Sequence, residues 1–88
     1  MFDRAQLRKG TLEGCILKII AREAAYGYAI AATLRENGFT DLTEGTLYPV
    51  LRALENSGAL KSYQQETPAG RVRKYYRLTK KGAALLSE

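Results

Sequence analysis

Apolar positions in this chain follow a helical spacing over the first two thirds and an alternating one afterwards. Leu12, Cys15, Ile16, Ile19 and Ile20 recur at intervals of three and four and predict a first helix from near Thr11 to near Glu23. Gly10 and Gly14 weaken its start, and residues 2–9 read as a frayed arm or an extra turn. Ala24 to Gly27 reads as a short connection. Tyr28, Ala31, Ala32 and Leu34 predict a second helix, and Asn37-Gly38 closes it with a residue suited to the left-handed position. Tyr26 and Tyr28 are expected to pack this helix onto its neighbours. A third helix runs from Thr43, a suitable cap, to Glu55, with Leu47, Val50, Leu51 and Leu54 as its core stripe. The opposite face carries Gly45, Tyr48, Pro49, Arg52 and Asn56, and Ser57-Gly58 ends the helix. Pro49 lies too deep for the tolerated first turn and should remove one backbone bond, most cheaply on a face turned away from the core.

The pattern then changes to period two. Residues 60–66 and 71–78 read as strands joined by the turn Thr67-Pro68-Ala69-Gly70. In the second strand Val72, Lys74, Tyr76 and Leu78 share one face, with Tyr76 and Leu78 expected in the core. Arg71, Arg73, Tyr75 and Arg77 share the other. Thr79 can cap a final helix whose apolar pattern, Ala83, Leu85 and Leu86, has only just begun at residue 88. Two helices at a steep angle, a third with a polar and aromatic outer face, and a basic hairpin beside it make a winged helix-turn-helix. The fold expected is mainly α with a small β-hairpin, an α+β arrangement in one domain over residues 1–88.

Charge sharpens this picture. The net charge is +5, which favours a polyanionic partner. Residues 1–42 hold six basic and five acidic side chains, whereas residues 43–88 hold eight and four. From residue 71 to residue 81 there are Arg71, Arg73, Lys74, Arg77, Lys80 and Lys81 and no acid. A solvated face is the ordinary meaning of such a run. Interleaved with Tyr75 and Tyr76 and placed just after a candidate groove-reading helix, it reads as a nucleic-acid contact.

Other chemistry is absent from the sequence. There is no histidine and a single cysteine, so the commonest general base is missing and a thiolate metal site cannot form. Neither glycine-rich phosphate-loop pattern occurs. No enzyme, no cofactor, no metal and no catalytic residue is expected. Cys15 alone makes no intrachain disulfide and reads as a small buried hydrophobe. No apolar run approaches the roughly 18 residues of a membrane span and no secretory signal opens the chain, so a cytoplasmic location without membrane contact is expected.

Motifs at fixed spacing carry a family resemblance. In order they are Gly10-Thr11-Leu12, Tyr26-Gly27-Tyr28, Thr46-Leu47-Tyr48-Pro49, Leu51, Leu54-Glu55, Gly58, Arg73-Lys74-Tyr75-Tyr76, Leu78-Thr79 and Gly82. The set, from about Gly10 to Leu86, resembles the PadR family of bacterial transcription regulators. The resemblance implies a winged-helix homodimer that represses its own or neighbouring genes, often released by a small aromatic or drug-like effector. Relatives carry a long helix after the T-x-x-G motif that makes most of the dimer, and here only Lys80 to Glu88 stand in its place. Some drug-binding relatives also use tryptophans at the dimer centre, and this chain has none.

The candidate DNA-binding residues are Thr43, Thr46, Tyr48, Pro49, Arg52, Arg71, Arg73, Lys74 and Tyr75. Arg52 suits bidentate pairing with guanine, and the Tyr48 hydroxyl suits a phosphate. The competing reading packs Tyr48 on the wing and pairs Arg52 with Glu55. Thr43 and Thr46 at the helix start can donate to phosphates, although a cap explains Thr43 equally well. Arg71, Arg73 and Lys74 suit phosphates or the minor groove, with Tyr75 on their side of the strand. Dimerisation is assigned to Ala83, Leu85 and Leu86, which supply so little apolar surface that the homodimer is expected to be weak without DNA. The function expected is sequence-specific regulation on a palindromic duplex. The alternatives are a winged helix used for protein docking, for which an acid-free basic wing has no purpose, and non-specific binding of RNA or DNA.

Overall fold

The computed structural model describes the backbone of residues 4–87 and the side chains of residues 12–87. The elements are α1 (Arg4–Arg22), β1 (Ala25–Tyr26), α2 (Gly27–Glu36), α3 (Glu44–Asn56), β2 (Leu60–Glu66), β3 (Val72–Leu78) and α4 (Lys80–Leu86). The α+β winged helix-turn-helix read from the sequence is the fold observed, with three differences. α1 starts at Arg4 rather than near Thr11, so Gly10 and Gly14 lie inside it. The stretch read as a connection contains β1, which adds a third strand. The sheet order is β1-β3-β2, all antiparallel, so β3 is central. Two residues carry too little pattern to announce a strand. They are ordered by pairing with a segment 50 residues away, Ala25 opposite Tyr76 and Tyr26 opposite Tyr75.

The three long helices bury one stripe each. Ile16, Leu17 and Ile20 of α1, Ile30, Ala31 and Leu34 of α2, and Leu47, Leu51 and Leu54 of α3 meet in one core, closed by Ala59, Leu60 and Tyr76. The α3 stripe is the one its spacing predicts, with Val50 at the margin. The α2 stripe is rotated from the expected one. Ile30 is fully buried, while Tyr28 is 60% exposed, its ring stacked on that of Tyr26 rather than set into the core. Cys15 is half-buried at the core margin.

Local chemistry fixes the ends of α3. The Thr43 hydroxyl accepts from the Thr46 backbone N–H at 3.2 Å. At the other end Gly58 takes φ +90°, Ala59 N–H donates to Leu54 O and Gly58 N–H to Glu55 O. That pair of bonds is a Schellman closure, which requires the left-handed residue that glycine supplies without strain. Pro49 sits inside the helix on an exposed face. The carbonyl it leaves without a helical donor belongs to Gly45, itself exposed, so water can take the bond. The link from α2 is held by Arg35 Nε donating to Leu42 O at 2.9 Å, with Phe39 and Leu42 packed on the core.

The β2–β3 hairpin runs in register from Leu60 opposite Leu78 to Glu66 opposite Val72. Thr67 closes its turn, donating its N–H to Arg71 O and accepting from Gly70 and Arg71 N–H groups. Thr79 then caps α4, and its hydroxyl also lies 2.6 Å from Gly58 O and 2.9 Å from Ala59 O. One residue thereby joins the end of the wing to the end of α3.

Candidate nucleic-acid interface

Where the N-terminus of α2, the exposed face of α3 and the wing meet, they enclose an open groove of about 700 Å³. Of the nine residues singled out in the sequence, Tyr48, Arg52, Arg71, Arg73 and Lys74 line it. Thr43, Thr46 and Pro49 are exposed on the same helix but outside the groove wall, and the two threonine hydroxyls lie 3.1 Å apart. The helical period explains the assembly. Tyr48 and Arg52 stand four residues apart and share the face opposite Leu47, Leu51 and Leu54.

Tyr75 does not belong with them. Strand alternation does place it on the side of β3 opposite Tyr76, but that side is covered. In register with Tyr75 stand Tyr26 on β1 and Tyr63 on β2. Their ring centroids are 5.2 and 5.9 Å from that of Tyr75, and its residual exposure is 9%. The ring is the middle of a three-tyrosine row holding the sheet together. Tyr75 is therefore corrected from a DNA contact to a packing residue, and the unforeseen strand β1 is what covers it. Tyr76 is core, as expected, at 3% exposure. The dimerisation set also divides: Ala83 and Leu85 face outward, whereas Leu86 packs on the core of its own chain.

The groove contains residues that the sequence patterns did not mark. Tyr28 and Val72 project at 60% and 61% exposure. Helical spacing assigns Tyr28 to packing, and strand alternation assigns Val72 to the face of Tyr76 and Leu78, on a strand whose tip extends past the core. Gly27 opens α2 beneath Tyr48. A Cβ added there would fall 2.5 Å from the Tyr48 hydroxyl, so the absence of a side chain is what lets the phenol lie across the start of α2. Glu44 also lines the groove, beside Tyr48. Partial burial first, and then the Glu44 charge, push the Tyr48 phenol above its usual 10.0, so the hydroxyl remains a donor at neutral pH.

Glu55 pairs not with Arg52 but with the wing. Ser62 Oγ donates to Glu55 Oε2 at 2.5 Å, and Lys74 Nζ lies 3.4 Å from Oε1 and 5.5 Å from the Tyr76 ring centroid. α3 is thus tied to both wing strands, and Arg52 is left without an acidic partner among the described residues. The Ser62 hydrogen bond chiefly, with the Lys74 charge, holds the Glu55 carboxyl below its ordinary 4.5. A depressed folded-state value stabilises the fold above the unfolded value and ceases to do so as pH falls through the folded one. Glu55→Gln should therefore lower the thermal midpoint at pH 7, and the gap to wild type should close as pH falls below about 4.5. Thermal melts of both proteins between pH 7 and pH 3 measure this; a constant gap would show that the carboxylate charge is not what matters.

A helix-turn-helix with a basic hairpin beside its third helix defines a winged-helix DNA-binding protein, and the comparisons agree. Residues 16–88 match the family described as transcriptional regulator PadR-like. The chain belongs to that family, whose members are transcription regulators rather than enzymes and bind DNA. Over 87 residues it is 38% identical to the transcriptional regulator Rv3488 of Mycobacterium tuberculosis, covering 99% of this chain and 75% of that one. Among solved structures, a Streptococcus transcriptional regulator superposes with a TM-score of 0.88 at 43% identity, covering 93% of this chain and 80% of the other. A PadR-like transcriptional regulator from Bacillus cereus gives 0.86 at 40% identity with the same coverages. No helix among the described residues is long and apolar enough to cross a membrane.

Proposed function

We propose that this chain is a sequence-specific repressor that binds a palindromic operator as a two-fold dimer. The observation that carries the reading is the groove, where an exposed face of α3 and a basic wing converge with Arg52, Arg71 and Arg73 free of acidic partners among the described residues. α3 enters the major groove, where Arg52 pairs with guanine O6 and N7. Tyr48, Thr43, Thr46 and the exposed ring of Pro49 face the backbone. Arg71, Arg73 and Lys74 flank them on phosphates or in the minor groove. Two copies place their third helices in successive major grooves, about 34–36 Å apart. Pairing runs through the segment from residue 79 onward, with Ala83 and Leu85 outward, and DNA drives it. Residues 1–88 act as one domain, in the cytoplasm. Release by a small aromatic effector completes the reading and is supported by the family resemblance alone.

Selection of bound duplexes from a random pool tests the reading. A two-fold symmetric motif with guanine in each half-site supports it, and recovery of unrelated duplexes overturns it. Gly27→Ala gives a second check. Its methyl group must push Tyr48 aside, while the core beneath is untouched. The expected outcome is several-fold weaker binding to the selected duplex with a thermal midpoint within a few degrees of wild type.

A further inference from the structure

Glu44 is the single carboxylate in the wall of a groove whose other charged residues are Arg52, Arg71, Arg73 and Lys74. It is exposed, and among the described residues no cation lies within ion-pair distance of it; the one ion pair there joins Glu55 to Lys74. An unneutralised acid on a surface meant for phosphates is unfavourable unless it meets a hydrogen-bond donor when DNA is bound. As the first residue of α3 it also complements the helix dipole, but that role does not require its place in the groove wall. Two features fix where it can act. The N-terminal residues of such a helix are the ones that reach base edges. Glu44 also lines the groove together with Tyr48, one helical turn on, which puts its carboxylate beside the reading face.

We propose that Glu44 is a specificity-determining residue that reads cytosine through its N4 amino group in the major groove, an assignment that rests on the DNA-binding reading above. The choice of base follows from donor chemistry. In the major groove only cytosine N4 and adenine N6 donate. Adenine N6 lies beside the N7 acceptor of the same base, which repels a carboxylate, whereas cytosine carries no ring acceptor on that edge. Arg52 lies two turns further, about 12 Å along the helix axis, so it reads guanine at a separate position of the same half-site. One acid and one arginine on one helix face thereby select bases of opposite hydrogen-bonding character, and the acid rejects an acceptor edge as strongly as it attracts a donor.

The test is parallel selection from a random duplex pool with wild type, Glu44→Gln and Glu44→Ala, followed by titration of single-base variants of the wild-type site. Wild type should show one cytosine per half-site whose replacement weakens binding about 5- to 150-fold, the range of about 1–3 kcal/mol for a good base contact. Glu44→Gln should move that position to adenine, which glutamine pairs through N6 and N7, and Glu44→Ala should erase it. The rest of the motif should persist in both. If the variants select the wild-type motif unchanged and bind every duplex more tightly, Glu44 only repels phosphate and the proposal is overturned. If wild type itself selects no motif, the DNA-reading function fails along with it, a result distinct from failure at this one position.

Discussion

Leu51→Ala should bring the chain to the edge of unfolding. Leu51 is fully buried at the centre of the α3 stripe, flanked by Leu47 and Leu54 and facing the cores of α1 and α2. Truncating a buried leucine removes its transfer free energy and leaves a cavity, together about 2–5 kcal/mol. Native domains hold about 5–15 kcal/mol, and short chains sit at the low end because they bury a smaller share of their surface. The loss should be visible as a collapsed or missing thermal transition and a matching loss of helical circular dichroism. A midpoint within a few degrees of wild type would show that the site can close over the missing atoms. Arg52→Ala, one residue along, provides the contrast. That side chain is exposed, so the fold should be unaffected while the choice of base relaxes.

Replacing Arg71 and Arg73 together with alanine should have the largest effect on DNA binding that leaves the fold intact. Both side chains are exposed on the groove side of the wing, and neither is held by an acid among the described residues. Lys74 differs, because Glu55 already takes part of its charge. Hydrogen bonds to charged groups contribute about 1.5–3 kcal/mol each, so the double variant should lose roughly two to four orders of magnitude in affinity at low salt. Each phosphate contact removed also flattens the dependence of log K on log salt by about 0.9, so the slope should fall by about two. The loss should be equal on specific and unrelated duplexes. An unchanged slope would place the wing off the phosphates.

The parts of the fold legible in the sequence were those governed by local rules. The α3 stripe, its threonine cap and its glycine closure each follow from residues within one or two turns. The hairpin follows from alternation and a turn containing proline and glycine. The illegible parts depend on distant partners. β1 is two residues long and exists because β3 pairs with it. Without β1, Tyr75 reads as an exposed member of a basic strand; with it, the ring is the centre of a stacked row. Tyr28 shows the converse case. It is the second residue of α2, where the helix borders the groove, so an aromatic side chain that periodicity assigns to packing is largely exposed. Glu44 complements the helix dipole from its place in the sequence alone, but its position among four cations is set by the closure of the wing onto α3, which Glu55, Ser62 and Lys74 maintain.

The central claim is that this surface distinguishes one duplex from another. Its most direct test is equilibrium titration of the wild-type chain against its selected duplex and against an unrelated duplex of equal length, at one stated salt concentration. The account predicts that the selected duplex binds at least about 10³-fold more tightly, the lower end of the range for specific readers. Equal affinities, falling together as salt rises, would contradict it and reduce the groove to a non-specific polyanion site.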